Sequence, residues 1–167
     1  RAAWEARLAA SAGRAEFERR VQGALPAGFE AAVAGAKAAL FAKPQKVATR
    51  RASQIALDTL TAAVPERVGG SADLTHSILT RVKAVDSDFT AETAGRYVSY
   101  GVREFAMAAA MNGMAAHGGV IPYGGTFLVF SELRWRLVRF IAESAEHARI
   151  GDDRLFGIEN SFKALSG

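Results

Sequence analysis

The stretch "GRYVSYGVREFAMAAAMNGMAAHGGVIPYGGTFLVF", residues 95–130, decides the fold of this chain. It opens with a strand pattern at "RYVSYG", continues as an alanine- and methionine-rich helix pattern at "REFAMAAAMNGMAAHGG", and returns to a strand and a glycine loop at "VIPYGG". A strand, a helix and a second strand in succession are typical of a parallel sheet. We therefore predict the α/β class, with a parallel sheet flanked by helices.

Patterns on both sides of this stretch extend the prediction. "VATRRASQIALDTLTAAVPE" has one apolar helix face, with Thr49 as a candidate cap and Pro65 as a stop. "RVGGSADL" predicts a short strand that ends in a Gly-Gly turn, and the polar residues 75–95 predict a loop with short helical pieces. On the other side, Thr126 is a candidate cap for a helix that continues to about Arg149.

A helical arm precedes these elements. Residues 2–43 carry apolar residues at helical spacing, interrupted near Gly13 and at "GALPAG", and Pro44 ends the arm. Its high alanine content supports helix, and we expect the arm to be a linker-like lead-in rather than part of the core.

Length, composition and charge limit the class of protein. With 167 residues, 50% of them hydrophobic and 23% charged, the chain is predicted to form one globular domain. No apolar run reaches the roughly 20 residues of a membrane helix, so we expect no membrane partner. The 21 basic and 17 acidic residues are interspersed, which argues against nucleic acid as a partner. The absence of cysteine fits a reducing, cytoplasmic compartment, and the start at Arg1 without methionine suggests that the true N-terminus is missing.

The candidate chemistry lies where the predicted strands end. Ligands of parallel α/β sheets bind beyond the carboxyl ends of the strands, and here those ends carry Asp73, Glu104 and the glycine loop at 123–125. Glu104 falls in the first turn of its predicted helix, where a carboxylate commonly complements the helix dipole. Its neighbours Val102, Phe105, Ala106 and Met107 are apolar, and burial among them would favour a neutral carboxyl that donates a hydrogen bond.

Other candidates leave two interpretations open. Phe127 and Phe130 are three residues apart and share a helix face, either as core or as a platform for a ligand. Arg50 and Arg51 could hold a phosphate by forked hydrogen bonding, or simply begin a solvated helix. No metal ligand is predicted in this chain, because its histidines lack metal-site spacing: His76, His117 and His147.

Four motifs in fixed order carry a family resemblance: "ATRRASQ", "GGSADLTHS", "GRYVSYGVREFAMAAAMNGMAAHGG" and "IPYGGTFLVFS". Together they closely resemble the pyrimidine-binding middle domain of transketolase, from Trp4 to Ser131 and most specifically over residues 48–131. The resemblance implies thiamine diphosphate-dependent transfer of a two-carbon ketol unit between sugar phosphates, in the pentose phosphate pathway. Another thiamine-dependent family is a weaker alternative, because the motifs of deoxyxylulose phosphate synthase and of the decarboxylating dehydrogenases fit poorly.

The resemblance also implies roles for individual residues. Glu104 matches the catalytic glutamate that bonds N1′ of the aminopyrimidine and favours the tautomer whose nitrogen takes the C2 proton. The matches imply cofactor contacts from Asp73, Phe127 and Phe130, with Phe130 the better candidate for ring stacking. They imply that Arg50 and Ser77 hold the sugar phosphate.

Departures from the family pattern limit what the chain can do alone. Ile78, Glu132 and Leu133 replace a usual asparagine, a frequent aspartate and a common pocket tyrosine, and a segment like "HDSIGLGEDGPTHQP" is absent. The domain that binds the diphosphate through a divalent metal such as Mg is absent too. We therefore expect a homodimer in the complete enzyme, with that domain or a second subunit as partner, and an inactive isolated chain. The alternative is a non-catalytic fragment or assembly module derived from a transketolase.

The expected organisation has three parts. Residues 1–44 form the helical arm, 45–149 an incomplete transketolase-like pyrimidine-binding domain, and 150–167 an unassigned tail. Without its partners, we expect the domain to expose Met107 and Met111 on an apolar patch that favours self-association.

Overall fold

The computed structural model of the chain describes residues 1–83, 85 and 87–127. Its helices in this part are α1 (Ala2–Ala9), α2 (Arg14–Gln22), α3 (Phe29–Ala42), α4 (Thr49–Ala63), α5 (Thr75–Ile78) and α6 (Glu104–His117). Its strands are β1 (Arg67–Ser71), β2 (Tyr97–Ser99) and β3 (Ile121–Gly125). The helical arm, the strand at "RVGGS" and the strand–helix–strand order of the deciding stretch are therefore confirmed.

The three strands form one parallel sheet in the order β2-β1-β3. Gly69 of β1 pairs with Tyr97 of β2 on one side and with Tyr123 of β3 on the other. Because β1 is central, the chain passes from β2 to β3 through α6, the kind of crossover connection that parallel strands require. The predicted α/β class, with a parallel sheet flanked by helices, is confirmed.

The two glycines of β1 allow its neighbours to come close. A Cβ atom on Gly70 would lie 1.9 Å from the carbonyl oxygen of Val98, and one on Gly69 would lie 1.8 Å from that of Tyr123. Backbone atoms cannot yield to such overlaps without breaking the strand pairing. The "GG" of the sequence thus serves strand approach rather than a turn.

Two small clusters form the core around the sheet. In the first, Met107 and Met111 of α6 pack with Ala72, and both methionine sulfurs lie over Gly124 of β3. In the second, Tyr97 of β2 packs with two buried valines and with Leu57 of α4: Val82 and Val85. The expectation of an exposed patch at Met107 and Met111 is wrong, since these side chains are 0% and 7% exposed. They are buried because the glycine at position 124 leaves room for α6 to pack directly on β3.

The helical arm contributes no buried residue from α1, α2 or α3. It is tied to the domain by Arg19 of α2, whose Nη1 and Nη2 donate to Glu66 at 2.8 and 3.0 Å just before β1. Within the arm, the rings of Trp4 and Phe17 meet edge to face at 6.1 Å. A polar ion pair, together with the contact of α3 against α4, therefore joins the arm to the domain without a fully buried residue in α1, α2 or α3.

One capping prediction is wrong and another is outside the described residues. Thr49 is the first residue of α4, and the N-cap is Ala48, which has extended backbone and no side chain that could cap. The helix predicted from Thr126 to about Arg149 lies outside the described residues.

Candidate functional site

The carboxyl ends of the three strands bring the predicted site residues to one edge of the sheet. Asp73 follows β1, Glu104 follows β2 and Phe127 follows β3. Since the strands are parallel, these three positions share the edge where α/β proteins bind ligands. Phe130, the fourth residue predicted for the cofactor, lies outside the described residues.

Glu104 is the first residue of α6 and is half-buried. Thr126, directly after β3, donates a hydrogen bond from Oγ1 to Glu104 Oε1 at 3.2 Å. We expected the apolar neighbours of Glu104 to bury its carboxyl group. The structure instead leaves Val102 76% exposed and Phe105 58% exposed. Of its apolar neighbours, Met107 alone is buried, one turn into the helix, so these flanking side chains form an open apolar surface beside the carboxyl.

Arg50 and Ser77, predicted together as the sugar-phosphate residues, are in contact. Arg50 Nη1 donates to the backbone carbonyl oxygen of Ser77 at 3.2 Å, across 27 residues of sequence. Ser77 and Asp73 both line an open cavity of about 340 Å³, together with Arg81 and Ser99. Arg51 lies apart from this group and donates to Gln54 one turn further along α4.

The glycine loop at 123–125 belongs to β3 rather than to a ligand loop. Tyr123 is 7% exposed, and the Arg67 guanidinium lies 5.4 Å from the centre of its ring. Burial raises the pKa of Tyr123 to about 12. The neighbouring Tyr97 raises this pKa as well, while Arg67 lowers it. The hydroxyl is therefore protonated at neutral pH and acts as a donor, consistent with its 3.5 Å contact to the Thr80 carbonyl oxygen.

A group of hydroxyl side chains under this edge was missed by sequence reasoning. Ser71, Thr75, Thr80 and Tyr97 meet where β1, α5 and β2 converge. A signal was present in "SADLTHSILT", in which Ser71, Thr75 and Thr80 recur at intervals of four and five residues. Their convergence on a tyrosine 17 residues beyond Thr80 depends on sheet pairing, which the sequence pattern did not reveal.

Within residues 1–83, 85 and 87–127, no group of three histidine, cysteine, aspartate or glutamate side chains lies close enough to hold a metal ion. His76 and His117 are exposed, and His147 lies outside this part of the chain. None of the helices that the structure describes has both the length and the hydrophobicity to cross a membrane.

Fold and site together define a ligand-binding domain of the parallel α/β class, with a carboxylate and an aromatic residue at the carboxyl ends of its strands. A family model described as "Transketolase, pyrimidine binding domain" matches residues 45–151. The chain therefore belongs to the transketolase family, whose members depend on thiamine diphosphate.

Curated relatives support this membership. The chromosomal transketolase of Cupriavidus necator is 51% identical over 147 residues, which are 84% of this chain and 22% of that protein. The transketolase of Cereibacter sphaeroides is 53% identical over 132 residues, which are 79% of this chain and 20% of that protein. The chain thus spans about a fifth of the length of the curated relatives that it matches.

Solved structures of transketolases share this fold. The transketolase of Leishmania mexicana superposes with a TM-score of 0.67 at 41% identity, over 82% of this chain and 20% of that one. A transketolase from Pichia stipitis superposes with a TM-score of 0.63 at 40% identity, over 75% of this chain and 19% of that one.

Proposed function

We propose that this chain is the pyrimidine-binding part of a complete transketolase, an enzyme that transfers a two-carbon ketol unit between sugar phosphates. The observation that carries the proposal is the position of Glu104. It begins α6 directly behind β2, at the ligand-binding edge of the sheet, and Thr126 from the end of β3 holds its carboxyl group. An ordinary first-turn glutamate needs neither that location nor a partner from another strand.

The residues at this edge fit the aminopyrimidine end of thiamine diphosphate. Thr126 engages Oε1 of Glu104, and Oε2 can face a ring nitrogen; Phe127 follows β3 at the same edge. Glu104 would hold the ring and exchange a proton with N1′, Phe127 and Phe130 would line the ring pocket, and Asp73 would lie near the cofactor. When bound, thiamine diphosphate supplies the nucleophilic carbon that carries the two-carbon unit.

Arg50 and Ser77 support sugar phosphates as substrates. Their contact brings a forked cation and a hydroxyl residue to one place, the combination that recognises a phosphate group. The similar Pichia stipitis protein was solved as a complex with sedoheptulose-7-phosphate. We propose that Arg50 and Ser77 bind the phosphate end of such a sugar.

Partner surfaces flank Glu104. Val102 and Phe105 are large, apolar and mostly exposed, which soluble domains rarely leave uncovered next to a site. We propose that a diphosphate-binding domain, which holds a divalent metal such as Mg, covers them in a homodimeric enzyme. The same exposed surface is what a non-catalytic assembly module would use, so that function is the second candidate. A cytoplasmic location stays a prediction.

The deciding experiment compares Glu104→Gln with wild type in a complete transketolase that carries this chain. Glutamine keeps the size and can hydrogen-bond, but it cannot exchange a proton with the ring nitrogen. Turnover, and hydrogen–deuterium exchange at C2 of bound cofactor, should therefore fall about a hundred- to ten-thousand-fold, with little change in cofactor affinity.

Glu30→Gln is a matched control, because Glu30 is a first-turn glutamate of another helix, α3. It should leave the exchange rate at C2 unchanged. Equal exchange rates in Glu104→Gln and wild type would leave Glu104 only the role of complementing the helix dipole. The isolated 167-residue chain should show no ketol transfer, since its described residues include no group of three histidine, cysteine, aspartate or glutamate side chains that could hold the divalent metal of the diphosphate.

A further inference from the structure

Ser71, Thr75, Thr80 and Tyr97 form a hydroxyl cluster beneath the carboxyl edge of the sheet. The Tyr97 hydroxyl lies 2.5 Å from Thr75 Oγ1, 3.0 Å from Thr80 Oγ1 and 3.5 Å from Ser71 Oγ. Ser71 Oγ lies 3.1 Å from Thr75 Oγ1 and also accepts the backbone N–H of Leu74 at 3.1 Å. One tyrosine from β2 therefore joins side chains from both ends of the segment between β1 and residue 80.

Three members of the cluster are buried, and the fourth, Thr75, is half-buried in the wall of the open cavity. Ser71 and Tyr97 are each 1% exposed and Thr80 is 5% exposed. Four hydroxyl groups supply four O–H donors, and they share four oxygen–oxygen contacts. Away from water, such a network is strengthened by the low dielectric, and loss of one member removes a hydrogen-bond partner from each of its neighbours. The cluster is thus a rigid element rather than a set of chance contacts.

The segment that the cluster spans has an unfavourable backbone. Asp73 has φ +62° and Leu79 has φ +56°, so left-handed residues other than glycine stand on both sides of α5. Such conformations persist only where the surroundings determine them, and they concentrate at functional sites. The cluster provides that constraint, because Ser71 and the Leu74 amide hold the chain around Asp73 while Thr80 holds it directly after Leu79.

The constrained segment carries two of the predicted site residues. Asp73 and Ser77 line the open cavity of about 340 Å³, with Thr75 and Tyr97 also in its wall. We propose that Thr75 and Tyr97 are positioning residues, which hold Ser77 in the geometry that binds the sugar phosphate and hold Asp73 at its place near the cofactor. The assignment rests on the proposed function of Asp73 and Ser77, and it gives the cluster a role that the sequence motifs did not suggest.

The kinetic test uses Thr75→Val in a complete transketolase that carries this chain. Valine keeps the shape of threonine but removes its contacts to Tyr97 and Ser71. KM for the sugar phosphate should rise about tenfold, the factor that corresponds to one net hydrogen bond, while kcat changes little. Thr75→Ser, which restores the hydroxyl, should restore KM. An unchanged KM in Thr75→Val, or a failure of serine to rescue it, would overturn the proposal.

Two matched controls separate positioning from general loss of structure. Thr59→Val removes a hydroxyl that bonds only the Ile55 carbonyl oxygen within α4, and it should leave KM unchanged. Should Thr75→Val not fold, Tyr97→Phe removes the same contact from the other side. Its control is Tyr100→Phe, because the Tyr100 hydroxyl is buried without a hydrogen-bond partner among the residues that the structure describes.

A second measurement on the 167-residue chain keeps this proposal separate from the proposed function. Thr75→Val should speed amide hydrogen exchange at Leu74, whose N–H donates to Ser71, and at Ile78, whose N–H donates to the Leu74 carbonyl. The Met107 amide in α6 should exchange as in wild type. Two outcomes would overturn the positioning role. One is that Thr75→Val leaves the exchange rates of all three amides unchanged, and the other is that it speeds exchange at all three by the same factor. A wild-type enzyme without ketol transfer would instead overturn the proposed function and leave the exchange result standing.

Discussion

Thr126 donates a hydrogen bond to Glu104 across 22 residues of sequence, with 3.2 Å between Oγ1 and Oε1. The bond joins the residue directly after β3 to the first residue of α6. It therefore fixes the start of this helix to the chain that leaves β3 at the carboxyl edge of the sheet. A carboxylate held in this way loses rotamer freedom before any ligand arrives, which lowers the cost of binding one.

A double-mutant cycle should detect this bond. We expect Thr126→Val and Glu104→Ala to be coupled by about 0.5–1.5 kcal/mol in the free energy of unfolding, since each variant removes one partner of the same hydrogen bond. Urea denaturation of the 167-residue chain measures the free energy of unfolding of wild type, of each single variant and of the double variant. Thr126→Val combined with Glu92→Ala is the control, because Glu92 instead accepts from Thr90, and that pair should be additive. A coupling of zero between positions 104 and 126 would show that the contact contributes nothing in solution.

The arm should depend on the ion pair between Arg19 and Glu66. Glu66 is 3% exposed and Arg19 is 18% exposed, so Glu66→Gln removes the buried one of the two carboxylates that pair with Arg19 and leaves Glu16 as the other. We expect a loss of about 1.5–3 kcal/mol in the free energy of unfolding, the range for hydrogen bonds to charged groups. Glu18→Gln breaks an exposed pair with Arg14 on the same helix and should cost only about 0.3–0.5 kcal/mol. Similar losses from the two variants would contradict a buried anchor.

The same pair predicts how stability changes with pH. Burial alone raises the pKa of Glu66, but the hydrogen bonds from Arg19 and from the backbone, with the Arg19 charge, outweigh it and leave the pKa below the usual 4.5. A lowered pKa in the folded state gives stability that is present above the unfolded value and is lost as pH falls through the folded one. The free energy of unfolding of wild type should therefore approach that of Glu66→Gln as pH falls below about 4.5. Glu16, whose pKa near Arg19 and Arg20 is about 2, titrates in both proteins. A pH-independent difference between the two denaturation midpoints would contradict this account.

Gly70 should tolerate no side chain. In Gly70→Ala the new Cβ would meet the Val98 carbonyl oxygen at 1.9 Å, so β1 and β2 could not pair. We expect loss of the cooperative thermal transition seen by circular dichroism. Gly113→Ala is the matched change in α6, where nothing lies within 4 Å of the added methyl group. It should stabilise the chain by about 0.5–1 kcal/mol, because alanine favours helix over glycine. A folded Gly70→Ala protein with wild-type stability would show that the strands pair less closely than described.

Removal of the Thr61 hydroxyl should increase stability. Thr61 is fully buried in α4, and its Oγ1 has no hydrogen-bond partner in the described part of the chain. Valine has the same shape without the polar atom, so Thr61→Val should raise the free energy of unfolding by about 1 kcal/mol. Thr59→Val, which removes a hydroxyl bonded to the Ile55 carbonyl oxygen, should give no such gain. A destabilised Thr61→Val protein would reveal a partner for this hydroxyl.

Local patterns in the sequence determined much of the fold. The strand, helix and strand around Glu104 follow from the composition of residues 95–125, because helix and strand preferences act between residues near in sequence. The same locality placed Glu104 in the first turn of α6 and Asp73 just beyond β1. The order of the motifs indicated the family before any pairing of strands was known.

Tertiary structure alone decided which of these residues are buried and which meet. Met107 is buried and Phe105 is exposed, although both are apolar and two residues apart, because only one helix face packs on the sheet beside Gly124. Arg19 of α2 donates to Glu66 across 47 residues of sequence. Tyr97 contacts the hydroxyls of Ser71, Thr75 and Thr80, because the pairing of β1 with β2 brings it beside them. Burial and partner choice are set by contacts between distant residues, and a single sequence carries no local pattern for them.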